Sequence, residues 1–122
     1  MKFTNGYWLL RKEMEPAYAV EYASHKIEDN TLTVYLPGKH IEGRGDCLNI
    51  PMLTLTLSSP MEGVIKVSAV HHAGAVYKGP FAQVNQESPQ VEITETDTQV
   101  IYRSGSLKAV IDKAPAGYKL AF

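Results

Sequence analysis

Between Asn49 and Gly74 the chain carries two runs of every-second-residue hydrophobicity separated by a turn, the signature of a β-hairpin. Leu53, Leu55 and Leu57 alternate with Thr54, Thr56 and Ser58. Successive strand side chains point to opposite faces, so this run has one apolar and one hydroxylated face. After Ser59-Pro60-Met61-Glu62-Gly63 the alternation resumes as Ile65, Val67 and Ala69 against Lys66 and Ser68. Val64 and Val70 fall on the second face, which predicts that this face is partly covered too. Pro60 presets the backbone at the second turn position and Gly63 accepts a positive φ, so the two strands are expected to pair antiparallel. A slip of one residue would place the leucines in water at about 1.5–3 kcal/mol each, which fixes the register.

Other segments repeat this logic. Tyr18, Val20 and Tyr22 alternate with Ala19, Glu21 and Ala23; Glu28-Asp29-Asn30 makes a polar turn; Leu32, Val34 and Leu36 then alternate with Thr31, Thr33 and Tyr35. This predicts a second hairpin. Upstream, Pro16 stops any helix, leaving room for one short helical turn before it. Gly38 to Ile50 is rich in glycine and charge and reads as a mobile loop. Ala73 to Pro89 lacks sustained alternation and is the longest irregular excursion, the kind of loop that often carries function. Val91 and Ile93, a turn at Glu95 to Thr98, Val100 to Tyr102, the Ser104-Gly105 turn, and Leu107, Ala109 and Ile111 predict a third hairpin. Tyr118 to Phe122 reads as the beginning of a strand, which suggests a truncated domain. Eight or nine short strands with scarcely any helix signal point to an all-β fold, an antiparallel β-sandwich.

The 122 residues suffice for a single domain, residues 1–122, and 44% hydrophobic with 20% charged residues is ordinary for a globular chain. A formal net charge of −1 and a pI near 6.4 provide no basic field, so nucleic acid and anionic membranes are not expected as partners. The N-terminal residues lack the apolar core of a secretory signal and no run approaches a membrane span, from which a cytoplasmic location, or a signal already removed, is expected. Cys47 is the single cysteine, so no internal disulfide can form.

His71-His72 with His25, His40 and Cys47 invites a metal reading, but neighbouring strand residues face opposite sides and no C-x-x-C or H-x-x-x-H spacing is present. Cys47 as a nucleophile would need a positioned base, and only His40 lies near it in sequence. Gly43-Arg44-Gly45-Asp46 lacks the Gly-Lys-Ser/Thr ending of a phosphate loop. Glycoside hydrolysis needs two close carboxylates, one in an apolar setting that raises its pKa; Glu92, Glu95 and Asp97 sit in Thr-rich polar surroundings and read as solvated surface. Tyr18, Tyr22 and Tyr35 fit strand faces, where cross-strand aromatic pairing accounts for them. No catalytic, metal or cofactor-binding residue is assigned.

Two stretches go further. Met1-Lys2-Phe3-Thr4-Asn5-Gly6-Tyr7-Trp8-Leu9-Leu10 and Pro51-Met52-Leu53-Thr54-Leu55-Thr56-Leu57-Ser58-Ser59-Pro60-Met61-Glu62-Gly63-Val64-Ile65-Lys66-Val67 resemble the start and first long hairpin of bacterial α-xylosidases of glycoside hydrolase family 31. His71 to Gly74, Gly79-Pro80, Val91 to Thr94 and Ser104-Gly105-Ser106-Leu107 extend the resemblance. It implies a galactose-mutarotase-like N-terminal β-sandwich that precedes a (β/α)₈ barrel in the full enzyme. The barrel's two aspartates would cleave α-linked xylose or glucose with retention, and no catalytic residue carries over to this chain. The expected partners are the catalytic barrel of the same polypeptide, the oligosaccharide substrate of that parent, and a second copy through an exposed sheet edge or apolar patch. Tyr77, Pro80, Phe81 and Asn85 are candidates for a barrel-facing or sugar-proximal loop. The alternative reading is an autonomous carbohydrate-binding module that stacks sugar rings on Trp8, or on Tyr77 and Phe81.

Overall fold

The computed structural model describes residues 3–4, 9–70, 89–113 and 119–122. Within them the strands are β1 (Phe3–Thr4), β2 (Leu9–Leu10), β3 (Ser24–Glu28), β4 (Thr31–Pro37), β5 (Met52–Ser58), β6 (Lys66–Val70), β7 (Glu92–Glu95), β8 (Gln99–Ser104), β9 (Leu107–Asp112) and β10 (Lys119–Ala121). All pairings are antiparallel. One four-stranded sheet has the order β3-β4-β5-β6, the other β10-β9-β8-β7, and β1 and β2 form a separate ribbon. The all-β sandwich expected from alternation is the fold observed.

The registers of the two sheets place the core. Leu32, Val34 and Leu36 on β4 stand opposite Leu57, Leu55 and Leu53 on β5, and Val100 and Tyr102 on β8 stand opposite Ile111 and Ala109 on β9. Apart from Leu53, these side chains are buried and form one apolar cluster between the sheets. The Tyr102 hydroxyl donates to the Asn30 carbonyl at 2.8 Å, tying β8 to the β3–β4 turn. Burial raises the Tyr102 pKa, which keeps the phenol a donor. Gly63 takes φ +75°, closing the β5–β6 connection as its sequence position requires.

Three expectations need correction: where the first long strand begins, how its tyrosines are placed, and the cover over Val64 and Val70. The strand expected from Tyr18 begins only at Ser24. Val20 N–H bonds the Pro37 carbonyl and Ala23 N–H the Tyr35 carbonyl, both at 3.0 Å, so three steps along one strand oppose two along the other, as at a β-bulge. Alternation fails across a bulge: Tyr18 is 67% exposed and Val20 is exposed, while Ala19 and Tyr22 pack on the core. The expected pairing of Tyr18 with the other tyrosines on strand faces is therefore not formed. Val64 and Val70 are both exposed, so the expected cover over them is not formed. Among the described residues before Pro16, Met14 N–H closes a single turn onto the Arg11 carbonyl at 2.9 Å, where one short turn was expected. The loop from Gly38 contributes no buried residue from its 3-10 turn at Arg44–Cys47. Asp46 organises that turn by accepting from Lys39 Nζ at 2.9 Å, Gly43 N–H at 3.0 Å and Glu42 N–H at 3.3 Å.

Candidate functional site

The bulge between Val20 and Ala23 turns Glu21 inward. This carboxylate is buried, an uncommon position for glutamate unless it is paired. Its Oε1 accepts the Ile41 N–H at 3.0 Å, and its Oε2 contacts His40 Nδ1. Half of the imidazole remains exposed, and its other nitrogen, Nε2, lies 3.9 Å from Glu42 Oε1. The pairing with Glu21 thus fixes the orientation of the ring between two carboxylates.

Beside it, the segments 15–20 and 38–51 enclose a depression of about 400 Å³ lined by Glu15, Tyr18, Val20, Gly38, Asn49 and Pro51 among others. Its walls are tied by the Gly38 N–H to Pro51 carbonyl bond at 2.9 Å and by the Val20 to Pro37 bond. Asn49 sits at φ +58°, a left-handed conformation that asparagine tolerates better than most side chains.

A second cluster spans the two sheets. The Tyr22 hydroxyl lies 2.6 Å from His25 Nδ1, His25 Nε2 lies 3.4 Å from Glu95 Oε2, and Lys113 Nζ donates to Glu95 Oε1 and to the Thr96 carbonyl at 2.9 Å. Burial raises the Tyr22 pKa. The hydrogen bond from Lys113 lowers that of Glu95, and the one from Lys39 lowers that of Asp46, helped by the Gly43 N–H. Glu95 is exposed, as expected of a solvated surface residue, and it is also an ion-paired link between sheets. Glu95 and Asp46 are held towards the ionised form, the opposite of what a general acid requires.

Of the residues weighed for metal binding, the structure gives His25 and His40 separate carboxylate partners, and Cys47 is an exposed thiol in the 3-10 turn. Among the described residues no three His, Cys, Asp or Glu side chains converge on one point. Trp8, His71, His72, Tyr77, Pro80, Phe81 and Asn85 lie outside the described residues. The Glu21–His40 contact escaped sequence reasoning. Its partners are 19 residues apart, and the only local trace was a glutamate at a position whose alternation partners are alanines.

With this geometry established, comparison with known proteins shows a consistent relationship. The chain is 38% identical over 111 residues to the α-xylosidase XylQ of Lactiplantibacillus pentosus, and 35% identical over 116 residues to an α-xylosidase of Emericella nidulans. The chain is similar in sequence to α-xylosidases. The matches cover 91% and 94% of this α-xylosidase-related chain but only 14% and 15% of the two relatives, a small N-terminal part of them. No protein-family model matches it.

Proposed function

We propose that this chain is the non-catalytic N-terminal β-sandwich of an α-xylosidase-like glycoside hydrolase, which packs on the catalytic barrel and helps to shape the rim of its active site. The relationship to two α-xylosidases over nearly the whole chain carries this reading. The chemistry of the described carboxylates supports it: Glu21, Asp46 and Glu95 are each engaged by a basic side chain, and none stands as a proton donor in an apolar pocket. A docking role is supported by Tyr18 and Val20, large apolar side chains left exposed in the lining of the depression, and by Leu48, exposed on its 38–51 wall. Exposed apolar side chains at a depression suit a partner surface.

The test is a chimera in which this chain replaces the matched 111 residues of the Lactiplantibacillus pentosus enzyme. The chimera is expected to hydrolyse a nitrophenyl α-xyloside, whereas the 122-residue chain alone turns over none of it. Turnover by the chain alone would overturn the non-catalytic reading, and a folded but inactive chimera would overturn the scaffold reading.

A further inference from the structure

We propose that β6 is the contact edge of a symmetric dimer of this chain, in which β6 of one copy pairs antiparallel with β6 of a second copy about an axis at Val67. Among the described residues β6 pairs only with β5 and ends its sheet. Val67 and Ala69 on its core side, Val70 on its outer side and Val64 just ahead of it are all exposed. The other edges of the two four-stranded sheets are guarded by charge or by shortness, the usual defences of a sheet edge. β3 carries Lys26 and Glu28, β7 carries Glu92 and Glu95, and β10 is three residues long. β6 has a single charge, Lys66, at its first position.

The order of residues selects a second copy as the partner. Val64 to Val70 reads apolar, apolar, polar, apolar, polar, apolar, apolar, the same in both directions about Val67. A twofold axis there makes the contact self-complementary. It sets Val67 against Val67, Ile65 against Ala69 and Val64 against Val70, while each Lys66 stands opposite a Ser68 and not opposite the other lysine. Side chains directly opposite share a face, so the core sides of the two sheets stay aligned across the junction. An axis one residue further on, at Ser68, would set Lys66 against Val70 and lose the match. The interface shares no residue with the depression between segments 15–20 and 38–51 and does not depend on the scaffold role proposed above.

The mass of the 122-residue chain, followed by light scattering over a concentration series, is expected to rise towards twice the 13.5 kDa of the monomer. Ser68 stands opposite Thr56 on the outer face of the sheet, so a charge placed there leaves the core untouched. Ser68→Glu sets a carboxylate opposite Lys66 twice in each dimer and should tighten dimerisation roughly 2- to 30-fold, the combined effect of two cross-strand pairs of opposite charge. Ser68→Lys sets like charges opposite one another and should weaken it. Melting temperatures at low concentration check that both variants keep the fold. An axis at Ser68, or unspecific association of the apolar side chains, would make both substitutions weaken the contact. Both variants moving the mass the same way, neither moving it, or an unsubstituted chain that stays at the mass of one copy throughout the series would overturn the proposal.

Discussion

Ser104 is fully buried, and its hydroxyl takes part in a directed chain between the sheets. Gly63 N–H donates to Ser104 Oγ at 3.1 Å, Ser104 Oγ lies 2.7 Å from Ser59 Oγ, and Ser59 donates to the Met61 carbonyl at 2.8 Å. Because Ser59 has a single proton and spends it on Met61, Ser104 is the donor between the two hydroxyls. Ser104→Ala leaves the Gly63 N–H without its partner and should lower stability by about 1–3 kcal/mol in urea unfolding. Gly105, next in the chain, sits at φ +57°, where an added Cβ would stand 3.0 Å from Glu62 Cγ. Leu55→Asp puts a carboxylate among buried leucines and valines, and calorimetry should show loss of the cooperative melt. The pairings of Glu95 and Asp46 predict an acid limb of stability. Folding lowers their pKa values, so the folded chain binds fewer protons than the unfolded one. Their stabilisation is complete above the ordinary carboxylate range, about 4, and is lost as pH falls through the lower folded values. Lys113→Met should flatten this limb in thermal melts taken between about pH 5 and pH 2, since the hydrogen bond from Lys113 is the largest cause of the Glu95 shift.

At the scale of elements, the hairpins β5–β6 and β8–β9 were legible because period-two hydrophobicity and turn chemistry agree there, whereas the pairing of β4 with β5 across the 38–51 segment was not. Leu53, Leu55 and Leu57 alternate as the β5 register requires, and Gly63 and Gly105 take the positive φ that their turns need. The start of β3 was not legible. Tyr18, Val20 and Tyr22 keep perfect alternation through a bulge, and a bulge is set by hydrogen bonds to Pro37 and Tyr35 that local sequence does not encode. The exposed end of β6 is likewise a packing outcome. Val67 stands opposite Leu57 and Ala69 opposite Leu55, on the core side of the sheet, yet both are exposed. A sheet edge with uncovered apolar side chains favours pairing with another chain. Val67→Lys should therefore shift light-scattering mass towards monomer at high concentration without lowering the melting temperature, because Val67 is already 39% exposed.

For the molecule as a whole, Glu21 and His40 show where reading by pattern stops. Alternation specifies which side chains leave water, and turn residues specify where strands reverse; both are short-range properties, and they suffice for an all-β chain with an antiparallel core of leucine, valine and isoleucine. The resemblance to α-xylosidases was likewise carried by contiguous residues and is matched by relatives aligned over most of the chain. Long-range packing is what turns a glutamate inside an apparent strand inward onto a histidine 19 positions away, joins the two sheets through Tyr22, His25, Glu95 and Lys113, and leaves apolar side chains of β6 exposed. Such contacts depend on how two twisted sheets are stacked and where a bulge shifts the register, and those choices are made by the sum of long-range packing and hydrogen bonding, not by any local run of residues.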